Sequence, residues 1–583
     1  MKWNLEQLYK NDLEWSKDLE VITKEIELVT NFKGKLNDKK TFLEYLDYSK
    51  SVDVKLEVLY CYAMLKFSTN QKDVSIQEQR NKVVNLFQHY NSLTSFVSSE
   101  IIAIGQDNVN AFIKETHNAN KFNFDKLFRN QKYIKSADEE LLMSHYQAAL
   151  DNYDSLYDQL SVADATAVDV TLSTGEVLNV STANFRSLLE VTKSQEDRKL
   201  IFEAVFKYFE THKNTFASIY LGIVQSRSAK AKVRGHESIL DMVLYSNNID
   251  KQIYLNLINT TKENTEPVKK YFDLRKKYFG IETHYTYDRP LQLKTSKTKF
   301  DYNTSLKLVL ESIETIGGEF YEFALDVLKD GLVDVYPVDG KQSGAFSCGI
   351  AEHEPFILLN HTDTINDCFT LAHEAGHSMH TKFSQKYQPA ETANYTLFVA
   401  EIASIFNEHL LLDHLLSKIT DKNEKIVMLQ SAIDGLLGTF YRQSLFADYE
   451  YQAHKYYEEN GTFNHVVLSN IMKELNMQYY GLDLDKQQYK QYVWAYIPHF
   501  HSTAFYVYQY ATSYAASIMM YENVKNNNGL NDYLTLLKSG GSDYPVELVK
   551  KANVDLTTKE PFEAVCNRLT KLVDELEKLL GEE

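Results

Sequence analysis

The chain has 583 residues, 62 of them Lys or Arg and 80 Asp or Glu, for a formal net charge of -18. That length exceeds what one hydrophobic core usually supports, so two or more subdomains are expected; the acidic balance argues against nucleic acid or an anionic membrane as a general partner. Four scattered cysteines, Cys61, Cys348, Cys368 and Cys566, suit a reducing compartment better than a disulfide framework. No stretch approaches the ~20 apolar residues of a membrane span, and residues 1–9 lack the apolar core of a secretory signal, so the expected location is the cytoplasm.

All eight prolines lie at or beyond Pro267. The first 266 residues are therefore free of the strongest helix breaker, and long helices are predicted there, with apolar periodicity over 41–66 and 75–103. Another helix opens on a capping box, Ser136 and Glu139, and carries Leu142, Tyr146, Ala149, Tyr153, Leu156 and Leu160 at three- and four-residue spacings, a stripe expected to pack in the core. Alternating apolar positions in 167–180 on either side of Thr174-Gly175 predict a β-hairpin. It marks a seam between an N-terminal helical lobe, 1–189, and a catalytic lobe, 190–583. Helices are predicted over about 182–277 and 304–330. Between Leu332 and Asn360 the pattern turns to strand, in 332–336 and 355–360, around the glycine-punctuated 344–349.

Residues 364–380 contain His373-Glu-Ala-Gly-His377. Residues four apart on a helix stand one above the other, so His373 and His377 can present two imidazole nitrogens to one zinc ion with Glu374 beside it. A catalytic zinc takes three protein ligands and keeps an open position for water. Glu401, a carboxylate in the small and apolar run 398–408, fits best as the third, because an unpartnered buried carboxylate is costly. Glu408, seven residues on, reads as an acceptor that orients a ligand histidine through its other ring nitrogen. His380, three residues beyond His377, could compete as a ligand but reads better as a hydrogen-bonding histidine of the same helix. Gly376 costs the helix ~1 kcal/mol against alanine, which implies a close approach by another element.

After Glu408 the pattern is helical to about 480. If 499–512 is helical, His499, Tyr506 and Tyr510 fall at i, i+7 and i+11 on one face, where they could hydrogen-bond an oxyanion. Residues 539–545 read as a flexible loop and 561–580 as an amphipathic surface helix.

Taken together, Gly344-Ala-Phe-Ser, Pro355-Phe-Ile-Leu-Leu-Asn360, Thr370-Leu-Ala-His-Glu-Ala-Gly-His-Ser-Met-His380, Val399-Ala-Glu-Ile-Ala-Ser404, Pro498-His-Phe, Phe505-Tyr-Val-Tyr-Gln-Tyr-Ala-Thr512 and Lys538-Ser-Gly-Gly-Ser-Asp-Tyr-Pro545 resemble, in order, oligoendopeptidase F of the thimet-oligopeptidase-like zinc peptidases. The resemblance implies a mainly α fold: two helical lobes enclosing a deep channel, and a zincin-like HExxH helix with a small β-sheet beside it. It implies that the 344–360 region holds extended substrate, that 539–545 borders the channel, and that His499, Tyr510 and Tyr508 face the zinc; whether His499 or His501 does so stays open at this point. The activity implied is hydrolysis of internal bonds in short unstructured peptides by a zinc-activated water, with Glu374 as general base and one zinc held by His373, His377 and Glu401. A metallocarboxypeptidase on the same scaffold, which would need a cationic anchor for the substrate's terminal carboxylate, is one alternative. A non-catalytic zinc-containing peptide-binding protein is another. Nothing in the sequence fixes the oligomeric state.

Overall fold

The computed structural model describes residues 2–150 and 152–581. With 71% helix and 4% strand, the fold is mainly α with a small sheet. The predicted hairpin forms: β1 (Val168–Thr171) pairs antiparallel with β2 (Val177–Val180), and Gly175 takes the left-handed turn conformation, φ 85°. A second sheet has the order β3-β5-β4. Here β3 (Val333–Asp334) runs parallel to β5 (His353–Leu358), and β4 (Phe346–Ile350) lies antiparallel to β5 as an edge strand. No helix of the described residues is long and apolar enough to cross a membrane.

The chain divides into two compact units, each assembled from three stretches. The first comprises Met1–Lys132, Thr298–Lys418 and Met520–Val554. Its N-terminal part is a helical cluster of Asp12–Ile26, Lys39–Thr69 and Val74–Leu93, capped by Asn11, Asp38 and Asp73 and filled by Trp15, Ile22, Phe42, Leu56, Leu59 and Val83. The proline-free sequence lets Lys39–Thr69 run unbroken for 31 residues. Cys61 on this helix and Cys348 on β4 bring their sulfurs to 3.9 Å.

The His373 helix, Ile365–Tyr387, starts at a capping box in which Thr364 and Asp367 satisfy each other's backbone N–H. The sheet is pinned to it by Ser347 Oγ to Ser378 Oγ at 2.8 Å and by Gln385 Nε2 donating to Ile350 O at 2.8 Å. Its other neighbour is the Glu401 helix, Leu397–Lys418. A Cβ added at Gly376 would lie 2.5 Å from Ala403 O and 2.6 Å from Ser404 Cα, so the two backbones meet where the sequence placed a close approach. The 539–545 loop differs from expectation. Gly541 N donates to Thr392 O at 2.8 Å, and a Cβ at either Gly540 or Gly541 would run into the 392–394 backbone. Those glycines serve contact rather than flexibility.

The second unit comprises Tyr133–Lys297, Ile419–Met519 and Asp555–Glu583. Buried Tyr254, Tyr271, Tyr449 and Tyr479 pack among its helices, which absorbs part of the chain's high tyrosine content as core. The helix Glu560–Gly581 is amphipathic as predicted, but it buries Phe562, Val565, Leu569, Val573 and Leu576 and is half core. One stripe departs from expectation. The Ser136–Glu139 capping box forms, and helices Ala137–Leu150 and Asn152–Asp158 follow it. Yet Leu142 is 57% exposed, Tyr146 61% and Leu156 44%; the side chain of Ala149 is outside the described residues. The rest of the stripe does pack: Tyr153 and Leu160 are half-buried, Tyr153 with its ring against Gly222, and beside them Tyr157 is buried with its hydroxyl donating to Ala495 O at 3.2 Å.

Candidate metal and peptide site

One helical turn brings His373 Nε2 and His377 Nε2 to 3.2 Å from each other. Glu401, supplied by the neighbouring helix, places Oε2 3.2 Å from the first and 3.5 Å from the second. These three donors lie within 4.8 Å of one another and could hold one metal ion. Their orientation is fixed from behind. His373 Nδ1 lies 2.6 Å from Glu408 Oε1, and Ser404 Oγ donates to Glu401 Oε2 at 2.9 Å. Burial opposes charge on His373, but the carboxylates of Glu401 and Glu408 outweigh it and raise its pKa well above the ordinary value. Burial likewise opposes charge on Glu401, and His373 more than reverses this, holding the carboxyl down to about 2.

Glu374 is 6% exposed, and its Oε2 has no hydrogen-bond partner among the described residues. Desolvation pushes its carboxyl up to about 7. His380 takes no part in the cluster. It is fully buried with its ring stacked on Tyr395 at 3.8 Å, and neither ring nitrogen is hydrogen-bonded among the described residues, so its contribution is packing and not the hydrogen bond expected.

In the second unit a different mechanism unites the other candidate residues. The backbone over 499–512 is not one helix: Pro498–Ser502 ends, the chain turns through Phe505 at φ 51°, and Tyr508–Asn527 begins. His499, Tyr506 and Tyr510 still form a ring cluster, with centroids 5.9 Å apart for His499–Tyr506, 6.3 Å for His499–Tyr510 and 5.4 Å for Tyr506–Tyr510. Two residues hold the turn. Glu450 Oε1 accepts from Phe505 N at 2.9 Å, and Arg227 Nη2 donates to His501 O and Ser502 O, both at 2.8 Å. His501 itself is buried, stacked on Tyr157 at 3.9 Å with Nδ1 3.2 Å from Ile497 O, so His499 is the histidine that joins the cluster. Tyr508 is buried beside Tyr254, ring centroids 5.1 Å apart, outside the cluster.

Comparison with known proteins supplies the context. The family model for peptidase family M3 matches residues 188–568. The chain belongs to peptidase family M3. Oligopeptidase PepF of Bacillus subtilis (strain 168) is 32% identical over 587 residues, covering 99% of this chain and 87% of the relative. A Chlamydophila abortus chain of known crystal structure is similar with 30% identity and a TM-score of 0.89, covering 99% of this chain and 98% of its own. Oligoendopeptidase-F from Enterococcus faecium aligns at 26% identity and a TM-score of 0.75, covering 98% and 100%. This M3 family member is a peptidase, with the fold of oligoendopeptidase F.

Two residues, one behind the candidate metal donors and one at the turn of the ring cluster, lend themselves to test. Glu408→Gln weakens the acceptor behind His373, and outer partners of this kind contribute roughly 10–100-fold to metal affinity or activity; a competitive metal titration should show that loss, and unchanged affinity would remove Glu408 from the assembly. Glu450, absent from the sequence-based candidates, is fully buried, and desolvation pushes its carboxyl up to about 8 against the opposing pull of the Phe505 N–H and Arg227. Its folded-state pKa is raised, so between roughly pH 4.5 and 8 the folded chain keeps a proton that the unfolded chain has released. Stability therefore falls as pH rises through that window. Glu450→Gln retains an oxygen acceptor for Phe505 N, and its Tm should drop less between pH 5 and pH 9 than that of the native chain; equal drops would show that Glu450 does not carry this dependence.

Proposed function

We propose that the peptidase is a zinc-dependent oligoendopeptidase that cuts internal bonds of short unstructured peptides. The observation that carries this reading is the convergence of His373, His377 and Glu401 beside Glu374. Ligands about 2.0–2.1 Å from a tetrahedral zinc stand roughly 3.3–3.4 Å apart, and the three donor separations are 3.2, 3.2 and 3.5 Å. One zinc per chain would be held there, supplying Lewis acidity that makes a carbonyl carbon more electrophilic and water more nucleophilic at neutral pH. Glu374 takes the proton from the attacking water and passes it to the leaving amine nitrogen. On the family resemblance, His499 and Tyr510 are the residues proposed to donate hydrogen bonds to the oxyanion that develops on the scissile carbonyl. The edge strand β4, one side of which is left unpaired by the sheet order, accepts the extended peptide through backbone hydrogen bonds, so that side-chain preference stays broad.

In this reading the family match from residue 188 onward supports the assignment of 190–583 as the catalytic lobe behind an N-terminal helical lobe, 1–189. The relatives' names, oligopeptidase and oligoendopeptidase, support short peptides as substrates and internal cleavage. The cytoplasm, where such peptides arise from protein turnover, is the proposed location.

The test combines metal analysis with product mapping. The purified chain should contain about one zinc, lose cleavage of an internally quenched peptide on chelation, regain it with zinc, and release fragments cut at internal bonds while leaving a stably folded protein intact. Release of single C-terminal residues alone would replace the reading with a metallocarboxypeptidase. Peptide binding with zinc present and no cleavage would replace it with a binding protein.

A further inference from the structure

One pair of side chains in the first unit takes no part in the chemistry above. Cys61 and Cys348 stand 287 positions apart in the chain, yet their sulfurs lie 3.9 Å from each other. Cys61 is buried in the helix Lys39–Thr69, in an apolar cluster with Leu65, Leu332, Ile350 and Phe356. Cys348 is half-buried on the edge strand β4 and packs against the same cluster. The hydrogen bond between the two sulfurs lowers the Cys348 thiol below its ordinary value and raises that of Cys61, so the more accessible sulfur is the one that becomes thiolate. Cys368 and Cys566 are buried free thiols.

The residues on either side of Cys348 face the other way. Side chains alternate along a strand, and while Cys348 meets Cys61, its two neighbours lie against the His373 helix: Ser347 Oγ is 2.8 Å from Ser378 Oγ, and a Cβ added at Gly349 would come 2.7 Å from Thr381 Cγ2. A disulfide holds its sulfurs at about 2.05 Å, so closing the 3.9 Å gap takes an approach of about 1.9 Å. The strand is the partner that yields. It is hydrogen-bonded in its sheet on one side only, with an irregular register between Cys348 and Ile350, whereas Lys39–Thr69 is fixed by Phe42, Val52, Leu56 and Leu59 in the core. Bond formation therefore draws β4 toward that helix and off the His373 helix.

We propose that Cys61 and Cys348 form a thiol-disulfide switch, closed by a peroxide, that lifts β4 from the His373 helix and slows the peptidase. The Cys348 thiolate attacks a peroxide oxygen: an S–O bond forms, the O–O bond breaks, and the departing oxygen takes up a proton to leave as water or alcohol. The Cys61 thiol then gives up its proton and attacks the Cys348 sulfur. The S–S bond forms as the S–O bond breaks, and the released hydroxide takes that proton and leaves as water. The two thiols thus lose two hydrogens and two electrons, all accepted by the peroxide. A dithiol reductant reverses the step by exchange, so in a reducing compartment the bond is transient. Bond formation is independent of the peptidase reading above; its effect on turnover rests on that reading, in which β4 accepts the peptide.

The test exposes the purified, metal-loaded chain to hydrogen peroxide and divides it for turnover of a quenched peptide, metal analysis, and peptide mapping after alkylation under denaturing conditions. Cys61 and Cys348 should become resistant to alkylation together and appear as one cross-linked peptide two hydrogens lighter, while Cys368 and Cys566 stay alkylatable. Turnover should fall by about ten-fold, within the 10²-fold or so that a misplacement of ~1 Å costs near reacting groups, with the metal retained, and should return on reduction with a dithiol. A Cys61→Ser chain, at a dose that takes Cys348 no further than sulfenic acid, should keep its turnover. Absence of the cross-link in the native chain, a cross-link that leaves turnover unchanged, or an equal and reversible loss in the Cys61→Ser chain overturns the proposal. If the native chain cleaves no peptide, the proposed function fails on its own, and hydrogen exchange over 346–350 decides the switch: protection should drop on cross-linking and recover on reduction, and unchanged protection overturns it.

Discussion

Glu374→Gln is expected to lower kcat by roughly 10²–10⁴-fold, the range that a positioned general base contributes, while metal content and KM stay near native. The side chain keeps its length and shape, and the His373, His377 and Glu401 donors are untouched. What is lost is a proton acceptor at Oε2, which is buried and has no other hydrogen-bond partner among the described residues. A buried carboxylate oxygen without a partner is costly to keep, so its presence there is best explained by the reaction. Stopped-assay kinetics with metal analysis on the same samples decide the matter. Native turnover in the variant would remove Glu374 from the mechanism, and loss of the metal would mean that its role is in binding the ion.

Gly376→Ala should destabilise the fold and loosen the candidate metal-holding group, although alanine is the better helix former by ~1 kcal/mol. The atoms a Cβ would strike, Ala403 O and Ser404 Cα, are backbone and cannot rotate away. Relief requires the His373 and Glu401 helices to separate, and overpacking of this kind costs about 1–3 kcal/mol, occasionally more. Glu401 sits two residues before Ala403, so separation carries Oε2 away from the histidines and metal affinity falls along with Tm. Gly435, in helix Lys422–Leu436, has nothing within 4 Å of the corresponding position and supplies the control: Gly435→Ala should be neutral or stabilising. A Gly376→Ala chain as stable as the native one would mean that the helices tolerate the methyl.

Where the sequence was informative, the signal was local. Two histidines four residues apart need only a helix to converge, and Glu401 and Gly376 stood out as costly residues in a small, apolar context. Long-range packing hid the rest. His499, Tyr506 and Tyr510 share a face by spacing only within a single helix, whereas the rings meet across a turn at Phe505 held by Glu450 and Arg227, partners 55 or more residues away in the chain. Of the predicted stripe over 142–160, Tyr153 and Leu160 are half-buried while Leu142, Tyr146 and Leu156 stay exposed, because periodicity does not declare which of its residues find a partner. The glycines of 539–545 looked flexible, because composition does not distinguish freedom from close contact.

The three-stretch construction of each unit has a consequence for how the chain is made. The last of the candidate metal donors leaves the ribosome with Glu401, but the last piece of its unit ends at Val554, about 150 residues or roughly 8–30 s later at ordinary elongation rates of 5–20 residues per second. Over that interval the 392–394 backbone has no Gly540 and Gly541 to lie against. Folding from the N-terminus forward, one completed domain at a time, is therefore closed to this chain. Nascent chains stopped short of residue 520 should remain protease-sensitive across 365–418 even with metal supplied, and protection should arrive only once Met520–Val554 has emerged.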